Sequence, residues 1–119
     1  MGLTYVELEI ANSADVDRRE KVRLLVDSGA MFSVVQGSVL RRLGIRAHAK
    51  RRFMLANGEV VERQIGGAMF LYRGESGVSP VVFGKPGDSD LLGTVTLEVL
   101  GLMLDPFRRE LKPLPMMLA

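Results

Sequence analysis

The chain has no cysteine, a single histidine and no long apolar run, and each shortage removes a class of chemistry. Without cysteine there is no disulfide framework, no thiolate nucleophile and no zinc–thiolate centre. That usage suits the cytoplasm, which is the expected location. The one histidine, His48, falls in a basic segment read as a loop, so Ser-His-Asp catalysis would need that residue alone to be perfectly placed. No apolar stretch approaches the roughly 20 residues of a helical membrane span. The opening MGLTYVELEI alternates too strictly, and brings in acids too early, for a signal peptide. No membrane association is expected. No glycine-rich loop precedes a helix to cradle a phosphate, and IGGAMF, flanked by strand-like runs, reads as a bulge or bend. Asp88 and Asp90 in GDSD resemble a scrap of a calcium loop whose other ligands are missing. Neither a metal nor a cofactor is therefore expected.

Charge of either sign is also in short supply as a net quantity, at +2, but it is unevenly spread. RRLGIRAHAKRR gathers Arg41, Arg42, Arg46, Lys50, Arg51 and Arg52. No aromatics interleave there to stack on bases, which argues against a nucleic-acid partner. A solvated face and an attraction for acidic substrates or partners both remain open.

What is present describes one folded domain over residues 1–119, with 47% apolar and 25% charged residues. YVELEIAN alternates, with Val6, Leu8 and Ile10 on one face and Tyr5, Glu7 and Glu9 on the other, as a half-buried strand does. SADVDRRE reads as a polar turn, and Lys21 to Val26 as the hairpin partner. Met31 to Val35 is strand-like, and SVLRRLG offers a serine N-cap at Ser38 and a glycine stop at Gly44 around a helical turn. Asn57-Gly58 between two strand-like runs is a strong hairpin signal, since both residues tolerate positive φ. GAMFLYR and SPVVFG read as further strands around the turn GESG, and GKPGDSD as a loop. Glycines bracket Thr94 to Leu100, where helix and strand are nearly tied on propensity. MLDPFRREL ends in a strand, and KPLPMMLA is a proline-broken apolar tail. The expectation is an all-β fold, a closed or partly closed β-barrel with one or two short helices.

One stretch, LLVDSGA, resists a bland description. Asp27 follows three large apolar residues and precedes Ser28, Gly29 and Ala30. It is either an ordinary strand-ending turn or a carboxylate held at the floor of a cleft. Serine can lock such a loop by hydrogen bonding, glycine lets backbone N–H groups approach the carboxylate, and alanine leaves room overhead.

About sixty residues further on, DLLG places two leucines and a glycine before the segment Thr94 to Leu100. The ordered set VDSGA, VV, LGI, LANG, FG, LLG and LEVLGLMLDP resembles the retroviral-type aspartic proteases, the retropepsin-like family, and its small prokaryotic members in particular. The resemblance runs from YVELEI to LDPFRREL. It implies a closed retropepsin-like barrel with a flap hairpin, and it resolves Thr94 to Leu100 as helix. It implies Asp27 as the catalytic carboxylate, Ser28 as a hydroxyl tying two active-site loops together, and Gly29 as a backbone donor, with Ala30 beside them. Leu91, Leu92 and Gly93 would support that loop, and Leu55, Ala56, Asn57, Gly58 and Glu59 would form the flap tip over the substrate. The tip reads ANGE rather than glycine-rich, and Gln36 stands where proline is common; both departures bear on substrate range.

Proteolysis of this type needs two carboxylates sharing one proton, because like charges about 3 Å apart cannot both ionise. The chain carries one Asp-Ser-Gly, so the resemblance implies a homodimer with the two Asp27 residues meeting on a two-fold axis. The apolar ends GLTYV and PMMLA fit either interleaved terminal strands or a simple cap on the barrel. A peptide or protein substrate is expected to bind in extended form by strand addition, with apolar pockets drawn from residues such as Leu25, Ala30, Phe32, Leu55 and Val60. The rival readings are a catalytically silent dimer of the same fold that binds peptides or proteins, and a generic β-barrel adaptor in which DSG is only a turn.

Overall fold

The computed structural model of the protein describes residues 3–118. Met1, Gly2 and Ala119, the outermost residues of the expected domain, lie outside that range. Strand β1 (Tyr5–Asn12) buries Val6, Leu8 and Ile10 and turns Tyr5 and Glu7 outward, as its alternation predicts. Its partner β2 (Asp15–Val26) is twice as long as expected. The segment read as a polar turn is mostly strand, and only Ser13 and Ala14 turn the chain. Asn12 Oδ1 accepts the Ala14 N–H at 2.9 Å to close that turn, and a bulge absorbs the residues between Asp15 and Arg19. These residues, Val16 included, are exposed because the hairpin end projects beyond the core, so no face there has to be apolar.

Strand β3 (Ser33–Gln36) begins two residues later than expected, since Met31 and Phe32 belong to a bend. Helix α1 (Gly37–Arg42) starts after Gln36, with no side-chain cap, so Ser38 is not the N-cap. Gly44, at φ 78°, follows its end. Strands β4 (Ala47–Met54) and β5 (Val60–Tyr72) form the hairpin announced by Asn57-Gly58, and His48 lies in β4 rather than in a loop. The turn differs in kind from the one expected. Gly58 alone is left-handed, at φ 87°, and its N–H reaches the Leu55 carbonyl at 2.9 Å while Leu55 N–H reaches Glu59 O at 2.8 Å. That is a three-residue loop with a bulged glycine.

Strand β5 runs unbroken through Gly66 and Gly67. A Cβ on Gly66 would stand 2.7 Å from the Arg46 carbonyl, so Gly66 admits a neighbouring backbone rather than ending a strand. The turn into β6 (Glu75–Gly84) is Arg73-Gly74, not GESG; both residues have positive φ, 45° and 86°, matching a two-residue type I′ turn. Short β7 (Leu91–Leu92) leads into α2 (Thr94–Leu100), bounded by Gly93 and by Gly101 at φ 70°. The chain then forms a separate two-stranded sheet, β8 (Leu102–Asp105) with β9 (Glu110–Pro113), where one terminal strand was expected.

The main sheet is ordered β1-β2-β7-β3-β6-β5-β4, and β5 also pairs with β1 through Glu9–Leu71, Ile10–Phe70 and Ala11–Met69. Its inward residues make one core in which Ile10, Leu24, Leu40, Phe70, Leu92 and Leu100 are all but sealed from solvent. Each such side chain contributes about 1.5–3 kcal/mol by leaving water. The protein is mostly strand with two short helices, and no helix among the described residues is long and apolar enough to cross a membrane.

Candidate active site

Asp27 is the first residue past β2. Its position is set by β7, which pairs in parallel with the end of β2 (Leu25 with Leu91, Val26 with Leu92) while Asp27 N–H donates to Leu92 O at 3.1 Å. The chain then turns at once, with Ala30 N–H on Asp27 O at 3.1 Å. Gly29 N–H donates to Asp27 Oδ1 at 2.8 Å, and a Cβ on Gly29 would crowd that same oxygen at 3.2 Å. The carboxylate is thus aimed by a backbone donor and left half-buried at the rim, with Ser28 and Gly29 exposed beside it.

Two further segments buttress this turn. Gly93 lies so close beneath it that a Cβ there would stand 2.6 Å from Phe32 C and 2.7 Å from Met31 O. The first amides of α2 hold the loop carbonyls, Thr94 N–H to Ala30 O at 2.9 Å and Val95 N–H to Met31 O at 3.0 Å. The structure therefore brings Asp27, Ser28, Gly29 and Ala30 together with Leu91, Leu92 and Gly93.

Behind the loop runs a chain of buried hydroxyls that sequence reading missed. Gly93 N–H donates to Ser33 Oγ at 2.9 Å, Ser33 and Thr96 hydroxyls meet at 2.5 Å, Thr96 and Ser79 at 2.8 Å, and Ser79 donates to Pro80 O at 3.1 Å. With one proton per hydroxyl the direction follows: Ser33 donates to Thr96, Thr96 to Ser79 and Ser79 to the carbonyl. All three side chains are almost completely buried. The network ties β3, β6 and α2 beneath the Asp27 loop. The only signal for it was three small hydroxyl residues inside otherwise apolar segments.

The hairpin tip, Leu55 to Glu59, is exposed along its whole length. Below it, Phe53 meets Phe32 edge-on with ring centroids 6.3 Å apart, and the Arg51 guanidinium lies over the Phe32 ring at 5.6 Å. One face of the β4–β5 hairpin thus rests on the residues just after Asp27. Of the other residues expected to shape pockets, Leu25, Ala30 and Phe32 are half-buried, while Leu55 and Val60 are open. Asp27 lines neither of two concavities, of about 490 and 260 Å3, elsewhere on the surface.

Asp88 and Asp90 have structural partners. Arg63 grips Asp88 through Nε to Oδ2 at 2.7 Å and Nη2 to Oδ1 at 3.0 Å, which holds the Asp88 carboxyl below its ordinary range. Burial pushes Asp90 the other way, with the Gln36 N–H on its Oδ1 only partly opposing. Gln36 also donates its side-chain amide to Lys85 O and Asp88 O, so the residue standing in for proline anchors loop 85–88.

Among curated proteins none matches this chain. Among solved structures it is similar to a retropepsin-like aspartic protease from Rickettsia conorii, at 18% identity and a TM-score of 0.48, with 88% of this chain and 89% of that one covered. The aspartyl protease family model matches residues 7–68, which is 62 of the 119 residues and includes both the Asp27 turn and the β4–β5 hairpin. By that match over more than half of its length, the chain belongs to the aspartyl protease family.

Proposed function

We propose that this protein is an aspartic endopeptidase that works as a homodimer, each subunit being a single domain over residues 1–119 and supplying Asp27. The observation that carries the reading is Asp27 itself. It is a half-buried carboxylate, aimed by the Gly29 amide and seated on a loop that β7, Gly93 and α2 brace from below. A surface turn has no use for that bracing, whereas a catalytic group held in place does.

In the proposed dimer the two Asp27 carboxylates meet on the two-fold axis and hold one proton between them. The ionised member takes a proton from a water as its oxygen attacks the scissile carbonyl carbon. The protonated member gives its proton to the carbonyl oxygen, forming a tetrahedral diol. Collapse of the diol breaks the C–N bond as the departing nitrogen takes up a proton, which yields an amine and a carboxylic acid. The return of β5 to β1 supports a closed barrel as the frame, and the β4–β5 hairpin serves as a flap. Phe53, on its face toward Phe32 and the Asp27 loop, and Leu55 at its tip, 41% exposed, are the apolar surface that an extended peptide would cover by strand addition. Ser28 is proposed to tie the two active-site loops across the dimer axis. A cytoplasmic setting fits the absence of cysteine.

The direct test is Asp27→Asn, which preserves shape but cannot ionise. It is expected to abolish cleavage of an unstructured protein at mildly acidic pH, a loss of at least a thousandfold, with an unchanged circular dichroism spectrum. Undiminished cutting by the variant would exclude Asp27 as the catalyst, and binding without any cutting by the wild type would favour the silent dimer.

A further inference from the structure

We propose that Arg51 sets substrate specificity, selecting chains that carry an acidic side chain, Asp or Glu, opposite the flap strand; the inference rests on the aspartic protease reading above. Alternation along β4 puts Arg51 and Phe53 on the same face, and both meet Phe32, five residues beyond Asp27. That face therefore looks onto the Asp27 loop, where a substrate strand would lie. Directly across the hairpin Arg51 is paired with Arg63, an unfavourable like-charge neighbour. Arg63 is neutralised, because both oxygens of Asp88 are committed to it. Arg51 is not: among the described residues no carboxylate oxygen lies within 4.0 Å of its guanidinium, and its side chain makes no hydrogen bond.

One carboxylate thus serves two facing arginines, and the surplus charge sits on the one nearer the Asp27 loop. Stacking on Phe32 holds the guanidinium in place without occupying its N–H edge. A peptide laid under the flap alternates its side chains, so one position falls beneath that edge. A carboxylate there can take two parallel N–H bonds, whereas a neutral or basic side chain would leave Arg51 covered and unpaired.

The test uses the full chain carrying Asp27→Asn, so that binding is read without cutting. Fluorescent ten-residue extended peptides with Glu, Gln or Lys stepped through each position are titrated at low and high salt. At one position Glu is expected to bind at least tenfold tighter than Gln, with the gap narrowing in high salt. That gap should vanish in Arg51→Gln, persist in part in Arg51→Lys, and invert toward Lys in Arg51→Glu. Equal binding of Glu and Gln peptides at every position, no binding of any peptide, or a preference that survives Arg51→Gln would each overturn the proposal. Cleavage by the wild-type chain separates the two claims. Asp27-dependent cutting with no acidic preference defeats the role of Arg51 alone, whereas no Asp27-dependent cutting defeats the protease reading.

Discussion

Asp88 and Asp90 stand two residues apart, yet their surroundings drive them in opposite directions. The Arg63 hydrogen bonds hold the Asp88 carboxyl low, against a smaller desolvation effect. Its charged form is therefore favoured by folding, and the stability it adds is present above the ordinary carboxylate pKa and lost as pH falls through the lower folded value. Burial raises Asp90, so its charged form costs stability, and that cost disappears as pH falls. The Arg63–Asp88 pair is mostly shielded, with side-chain exposures of 14% and 26%. Asp88→Asn is accordingly expected to lose about 1–2 kcal/mol at pH 7. In urea denaturation the gap to the wild type should close toward pH 3; a gap of constant size down to that pH would show that the pairing is not the source. None of this was visible in GDSD, which suggested only metal ligands, because the deciding partner is Arg63, 25 residues away.

Among the elements, the hairpin and the limits of α2 were readable from local signals, while the helical state of α2 followed only from the family resemblance. Asn57-Gly58 and the glycines flanking Thr94 to Leu100 act through backbone conformation, which is a property of a few neighbouring residues. Ser38 misled for the same reason inverted. α1 is short and packs Leu40 into the core, so burial rather than capping set its start. The hydroxyl chain under the Asp27 loop joins three elements and decides how firmly they hold together. Thr96→Val keeps the shape but leaves the Ser33 O–H without an acceptor and Ser79 Oγ without its donor in a dry interior, at a cost of about 1–3 kcal/mol. Thermal unfolding should report that loss. Thr96→Ser, which restores the donor and acceptor, should recover most of it, and equal loss in both variants would point to the missing methyl group instead.

At the scale of the whole molecule the proposed dimer makes its own prediction. Leu3, Met116, Met117 and Leu118 are between 66% and 102% exposed, an apolar surface at both ends of the chain that suits a partner subunit. If each subunit brings half of the catalyst, specific activity should fall in proportion to concentration once the protein is diluted below its dimer dissociation constant. Sedimentation over the same range should show dimer giving way to monomer. Constant specific activity in a solution of monomers would end the shared-site reading.

The local sequence by itself determined the periodic strands, the β4–β5 hairpin, the glycine limits of the second helix and the placement of one acid at a strand end. These depend on alternation, on positive-φ turns and on residue order, all of them short-range. Tertiary structure alone decided where β2 begins, which two residues make the Arg73-Gly74 turn, that Ser33, Thr96 and Ser79 meet, and that Arg63 rather than Arg51 receives Asp88. Each of those outcomes is a competition between residues far apart in the chain, and only their positions in space determine which partner prevails.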